Sequence, residues 1–278
     1  MKFGSLRIKL HLPFIFFSPH PILHEMVKDI CAGLHGEEFK KSKLVFVFCG
    51  AHKKFAFASV PWGKKLFIQT EQLCTEDGEA LWGSKKSHVV KSIKENIRQS
   101  DVFLDINFNN RPFYEAIDLS KVDKSKVDFG PYIYPRQIVD CKKEVANSVC
   151  FFGSLNKRRE ELVKEFCAKS GLYVKIVPEK TYGANLKRIV SESAAVLNIH
   201  YEDAIYTEAP RLLTAYLHGK VLISEKISKP FQENVHYISL EAGSDIEYSQ
   251  VFKNFTKLVT QNFSFAEFIR RRVLNKKE

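Results

Sequence analysis

Little in this 278-residue chain would serve a metal centre or a disulfide frame: it has six cysteines but no Cys-x-x-Cys pair, and no Asp-x-Asp pair. Cys31, Cys49, Cys74, Cys141, Cys150 and Cys167 sit mostly in apolar runs such as VFVFCG and SVCFFG, so they are expected to be reduced core thiols, not metal ligands. No apolar run approaches the roughly 20 residues a membrane-spanning helix needs. The N-terminal apolar stretch Leu10–Phe17 is interrupted by Pro13 and runs into Ser-Pro-His-Pro with no small-residue cleavage site, unlike a signal peptide. Low-complexity segments and short repeats are also absent, which excludes fibrous and disordered classes. A cytoplasmic protein is expected, with peripheral contact at a membrane compatible with its charge.

The chain is instead 45% hydrophobic and 27% charged, with 43 Lys+Arg against 32 Asp+Glu and a net charge of +11. That composition suits one large domain or two small ones with real cores. Split before Ser148, the two parts carry +6 and +5, so neither is a basic arm. Such a balance favours phosphate-bearing partners without choosing among nucleotide, lipid and nucleic acid.

Short β-type runs alternate with helical stripes along nearly the whole length, the pattern of parallel sheets covered by helices. The first half offers strands at Arg7–Leu12, Lys43–Gly50, Leu66–Thr70 and Asp101–Asn107, with helices at Ile22–Leu34 and His88–Gln99. Leu119–Lys143 is charged, carries Gly130-Pro131 and Pro135, and reads as a long loop ending in a linker at about 130–147. The alternation then restarts. Strands are expected at Ser148–Phe152, Tyr173–Val177, Ala195–His200 and Val221–Ser224, and helices at Lys157–Lys169, Ala184–Ser193 and Glu208–Leu217. Two amphipathic helices close the chain within Asp245–Lys277. The expected domains are therefore 1–147 and 148–278.

Open parallel sheets bind ligands beyond the carboxyl ends of their strands, which directs attention to two segments. In Phe151-Phe152-Gly153-Ser154-Leu155-Asn156-Lys157-Arg158-Arg159 an apolar strand breaks at glycine and enters a helix with a basic first turn. Glycine admits a ligand to the backbone, the helix start offers unpaired N–H groups, and Arg158 and Arg159 add donors for a diphosphate. Cations there oppose the helix dipole unless an anion is near. The plainer alternative is a βα turn capped by Asn156. In the second segment a strand ends in Asn198, His200 and Tyr201, and a helix follows with Glu208 and Arg211 three residues apart. A carboxylate so placed can receive ribose hydroxyls while the guanidinium holds phosphate; equally, the two could form a helix-start ion pair.

The order F-G-S-L-x-x-R-R, V-L-N-I-H-Y and E-x-P-R-L-L-x-A-x-x-x-G-K-x-x-I-S-E resembles the donor-binding domain of GT-B glycosyltransferases, nearest the bacterial group-1-like enzymes related to spore-protein glycosyltransferases. The likeness is clear over Val149–Glu225 and looser at His20-Pro21, Gln69–Gln72 and Asp105–Asn110. It implies an α/β protein of two Rossmann-like domains facing across a cleft, with the C-terminal helices crossing back to the first. It further implies a nucleotide-sugar donor, a glycan or lipid-linked acceptor, and sugar transfer. By position, Gly153 and Ser154 match the diphosphate loop, Arg158 and Arg159 its basic flank, and Glu208 and Arg211 the nucleotide-sugar contacts; Asn198, His200 and Tyr201 at the strand end are further donor-binding candidates. The chain departs from the paired glutamates of many retaining members, having Tyr206 and Thr214 at those places.

Without an Asp-x-Asp pair, helix N–H groups and arginine are expected to stabilise the leaving diphosphate, with no metal and no cofactor. An inverting enzyme also needs a base, for which His20 and Glu71 are the candidates and His24 a neighbour of the first. Arg211, as a phosphate holder, is expected to matter for affinity and little for the fold. Two other readings stand beside this one: a GT-B-like scaffold without catalysis, and a nucleic-acid-binding protein. The second is disfavoured by the even charge and the lack of a basic–aromatic motif, so no nucleic acid is expected.

Overall fold

The computed structural model describes residues 6–34, 39, 42–50, 62–75, 79, 81, 86–117, 119, 122–142, 147–205, 207–241 and 247–274. It is a mixed α/β protein with two sheets built mainly of parallel strands. Contacts divide the chain into two units, one of Met1–Arg136 with Asn262–Glu278, the other Gln137–Gln261. Residues 137–147 thus belong with the second unit, and the last seventeen residues with the first.

The sheet of the first unit contains β1 (Arg7–His11), β2 (Phe14–Ser18), β3 (Val45–Gly50), β4 (Lys64–Gln69), β5 (Val102–Asp105) and β6 (Val127–Phe129), in that order. β1 and β2 form an antiparallel hairpin, and β2 through β6 run parallel. Val, Phe and Leu fill β3 and β5, which are buried along their whole length, as strands covered on both faces must be. One face packs against α1 (Pro21–Ala32) through Leu23, Met26, Val27 and Ile30. A second cluster joins Phe48, Phe67 and Phe103 to Val89, Ile93 and Ile97 of α2 (Lys86–Gln99), at the four-residue helical spacing of those three. Phe67 and Phe103 stack with centroids 5.1 Å apart.

Two elements differ from expectation. The Leu119–Lys143 segment holds strand β6, which pairs with β5 through Phe103↔Val127; three residues, Val-Asp-Phe, are too few to show a period. Phe14–Ser18 is a full strand after a two-residue turn, where Pro13 masked the continuation. A short helix, α3 (Arg111–Ala116), follows β5.

The second unit has an all-parallel sheet ordered β11-β10-β9-β7-β8, from β7 (Ser148–Phe151), β8 (Tyr173–Ile176), β9 (Ala195–Asn198), β10 (Val221–Ser224) and β11 (Ile238–Ser239). Its helices are α4 (Lys157–Ser170), α5 (Gly183–Ser191), α6 (Ala209–Leu217) and α7 (Tyr248–Asn262). From β7 the chain steps outward to β8, then crosses to the other side of β7 as β9. The strand order therefore reverses between β7 and β9.

The closing segment, α8 (Phe265–Phe268) with a π turn over Ile269–Val273, is part of the first unit. Phe265 N donates to Tyr134 O (2.9 Å), the Tyr132 ring lies 5.0 Å from Phe268, and Arg272 Nε donates to Asp128 Oδ2 (2.7 Å). Among the described residues no helix is long and apolar enough to cross a membrane.

Candidate functional site

The reversal between β7 and β9 opens a crevice at the carboxyl ends of those strands, because the connections that follow them leave on opposite sides. Nine of the sequence-predicted residues stand there. Gly153 and Ser154 follow β7 and are exposed; Arg158 and Arg159 open α4; Asn198 ends β9, with His200 and Tyr201 just after it; Glu208 and Arg211 open α6.

The arginines hold the site together from beneath. Arg211, 5% exposed, donates from Nε (3.1 Å) and Nη2 (2.8 Å) to Phe152 O. Its Nη1 bonds Asn198 Oδ1 and pairs with Glu208. Arg159, 4% exposed, donates to Ile199 O (2.9 Å), Ser154 O (2.7 Å) and Glu208 Oε1 (2.8 Å). Both guanidinium groups also lie against the Phe151 ring, 5.4 Å away for Arg159 and 5.1 Å for Arg211. Each charged hydrogen bond to a strand-end carbonyl fixes the loop above it. Arg158 grips Glu225 with both terminal nitrogens and reaches His200 O (3.0 Å), while Glu225 Oε2 accepts from His200 N (2.6 Å).

Glu208 sits between Arg159 and Arg211. Burial works to raise its pKa, yet Arg211, the His200 ring and Arg159 together hold the carboxyl below its ordinary range. It is an anion with two guanidinium partners and a side chain 15% exposed. Asn156 caps α4, its Oδ1 accepting from Arg159 N (2.9 Å) and its Nδ2 donating to Tyr201 O (2.7 Å). This links the loops after β7 and β9 directly. Tyr201 is 49% exposed, its ring 5.3 Å from the Arg159 guanidinium carbon.

Gly153 adopts φ +136°, a backbone region in which L side chains are strained. A Cβ there would stand 2.8 Å from Arg211 Nη2 and 3.4 Å from Arg159 Nη1. Glycine thus makes room for the arginines behind the loop while its other side stays open. This differs from the expectation that Arg211 is dispensable to the fold: it is a buried tie between three elements. Thr214 donates back to Pro210 O (2.8 Å), so its hydroxyl is spent within α6. Tyr206 lies outside the described residues.

In the first unit His20 is exposed and caps α1, its Nδ1 accepting from Ile22 N (3.3 Å). His24 Nδ1 pairs with Ser18 Oγ (3.1 Å), and burial, reinforced by Lys28, lowers its pKa. Glu71 follows β4 and is half-buried. His20 follows β2 and Glu71 follows β4, with β3 between the two strands in the sheet.

Two groups escaped sequence reasoning. Glu225 ends the quoted motif but gained no role; its signal was a carboxylate one residue past β10, beside β9. Asp105, fully buried at the end of β5, accepts from Asn107 N (2.9 Å), Asn110 Nδ2 (2.9 and 3.0 Å) and Tyr114 OH (2.8 Å). Burial raises it to about 7, the hydrogen bonds offsetting only part. Asn110 in turn donates to Glu71 O (2.9 Å), so this network sets the loop carrying Glu71. Among the described residues no three His, Cys, Asp or Glu side chains group as a metal site.

The fold is that of a mixed α/β protein with parallel sheets, and the candidate residues stand where the strand order reverses between β7 and β9. No family model matches the sequence, and no curated protein matches it. Among solved structures it is similar to a chain of the GtfA/B complex, at 12% identity and a TM-score of 0.38. That comparison covers 99% of this chain and 59% of the other, so this chain spans about three-fifths of its neighbour's length.

Proposed function

We propose that the protein is a glycosyltransferase that binds a nucleotide-sugar at the β7/β9 switch point and transfers the sugar to a hydroxyl acceptor without a metal. The observation that carries this reading is the convergence of Gly153, the start of α4, Arg159, Glu208 and Arg211 where the strand order reverses. The motif order over Val149–Glu225 adds the sequence resemblance to GT-B donor domains.

In this reading the diphosphate lies over Gly153–Lys157, where α4 presents the unpaired N–H groups of its first turn. Arg159 and Arg211 act from below, holding the loop carbonyls away from the anion and adding positive field. Transfer breaks the bond between the anomeric carbon and the diphosphate oxygen and forms one to the acceptor oxygen. The acceptor proton goes to a base, and the developing diphosphate charge is met by preorganised donors.

The test is a thermal-shift screen against nucleoside diphosphates and their sugars, with and without EDTA. A ligand at 100 times its dissociation constant adds about 2.7 kcal/mol, a readily visible shift. A shift for one nucleobase that survives EDTA supports the reading; no shift with any nucleotide overturns it. A second reading, binding without catalysis, is favoured by Thr214 at a place where many retaining relatives have glutamate. Nucleotide binding without release of the nucleoside diphosphate from any donor and acceptor pair would establish it.

A further inference from the structure

We propose that the β1–β2 hairpin, with the amino-terminal edge of the first sheet, is a docking surface for an anionic lipid bilayer. The proposal is independent of the nucleotide reading. Strand β1 has its alternation inverted for a water-facing edge. His11 turns towards α1, its Nε2 2.8 Å from Leu34 O, and the strand period puts Lys9 and Arg7 on that same face. Ile8 and Leu10 therefore lie on the opposite face, 56% and 64% exposed, and Leu12 in the turn is 74% exposed. The register sets Ile8 across from Phe17 and Leu10 across from Ile15, half-buried residues that pack against the cluster of Phe46 and α2 and leave Ile8 and Leu10 as its exposed rim. Soluble proteins blunt edge strands with charge; here the outward positions are aliphatic.

The starts of β2, β3 and β4 line the edge of the sheet at which Leu12 lies. Exposed Lys43 precedes β3, and Trp62, 62% exposed, precedes Lys64 at the head of β4. Exposed aliphatics, an indole and lysines are the side chains that seat a protein in a headgroup layer.

Charge selects the occupant. Residues 1–65 carry eleven Lys+Arg against four Asp+Glu, a net +7, whereas residues 66–147 carry −1. Among the described residues up to Lys65, the charged side chains are Arg7, Lys9, Lys28, Lys43, Lys64 and Lys65 against Glu25 and Asp29, and Lys43 and Lys64 stand at the strand starts beside the hairpin. A second copy would set this net positive charge against itself, while an anionic bilayer is attracted to it.

The experiment is co-sedimentation of the full chain with vesicles of phosphatidylcholine alone and of phosphatidylcholine mixed with phosphatidylglycerol. Binding is expected to the anionic vesicles, weakened by salt. The combined variant Ile8→Ser, Leu10→Ser, Leu12→Ser should lower the partition coefficient at least about tenfold with an unchanged melting curve. Should that variant fold poorly, Leu12→Ser alone decides, since its side chain is the most exposed of the three. Failure to sediment with anionic vesicles, or equal sedimentation of the variant, overturns the proposal. So does a dimer in light scattering that the variant abolishes while no vesicle binding is seen, which would assign the strip to a second copy. The nucleotide screen is read separately, so either conclusion can fail alone.

Discussion

Each unit holds a carboxyl group enclosed by hydrogen-bond partners near its strand ends, Asp105 in the first and Glu208 in the second, and the surroundings of the two groups are opposite. Asp105, past β5, is ringed by amides and a phenol that carry no charge, and burial pushes it up to about 7. Glu208, at the head of α6, is 15% exposed and flanked by Arg159 and Arg211, and it is held below its ordinary range. Hydrogen bonds from neutral donors repay only part of the cost of burying an anion, whereas adjacent guanidinium groups exceed it. One unit thus ends in a neutral network that sets loop shape, and the other in a charged lattice that gives its loop a positive underside.

The comparison breaks most visibly at Arg211. Arg211→Ala should leave Glu208 with one guanidinium partner and Phe152 O with none of its two Arg211 donors, at a cost of about 3–5 kcal/mol in urea unfolding. The equivalent change in the neutral network, Tyr114→Phe, removes one hydrogen bond to Asp105 and should cost about 1–3 kcal/mol. Equal losses would show that charge does not distinguish the two edges. Gly153→Val comes next. Its φ of +136° and the 2.8 Å approach to Arg211 Nη2 predict about 1–3 kcal/mol of strain, together with loss of any nucleotide-induced thermal shift. A variant that binds normally would make the loop a simple connector.

What the sequence made legible follows from the same contrast. Strand-end polar residues before an obvious helix, as in Gly153–Arg159 and Asn198–Tyr201, announce themselves by position, and the structure brings them together at one reversal of strand order. Their roles were harder to read, because a sequence does not say whether an arginine points outward or at a carbonyl; Arg158, Arg159 and Arg211 all bond protein acceptors. Asp105 stood in a segment of loose family likeness but gained no role, since nothing in the sequence ties it to Asn107, Asn110 and Tyr114 until α3 follows β5 in the fold. Strand β6 was invisible because Val-Asp-Phe is shorter than any measurable period.

A pH series sharpens the comparison further. Asp105 has a folded pKa of about 7 against an ordinary 3.8, so the folded chain keeps a proton the unfolded chain has released. Its contribution makes stability fall as pH rises from about 4 to about 7, at most about 1.4 kcal/mol per pH unit, and then level off. Glu208 lies below its ordinary 4.5, so its contribution is complete above that pH and is lost as pH falls through the folded value. Asp105→Asn should flatten the first slope and leave the second. Unfolding midpoints across that range check both signs, and a slope unchanged by Asp105→Asn would remove this carboxyl as its source.

The smallest expected effect tests the helix starts that face each edge. Asn156 caps α4 with a good acceptor, 2.9 Å from Arg159 N, and its amide also reaches Tyr201 O. His20 caps α1 through a ring nitrogen at 3.3 Å from Ile22 N and is exposed. Asn156→Ala should therefore cost about 1 kcal/mol, and it should also loosen the link between the loops after β7 and β9, weakening any nucleotide shift beyond what the lost stability explains. His20→Ala should cost less, because a longer bond in water is nearly replaced by solvent. If the two substitutions prove equal in stability and neither touches nucleotide binding, the start of α4 is an ordinary helix end, and the diphosphate must be sought elsewhere along the β7/β9 crevice.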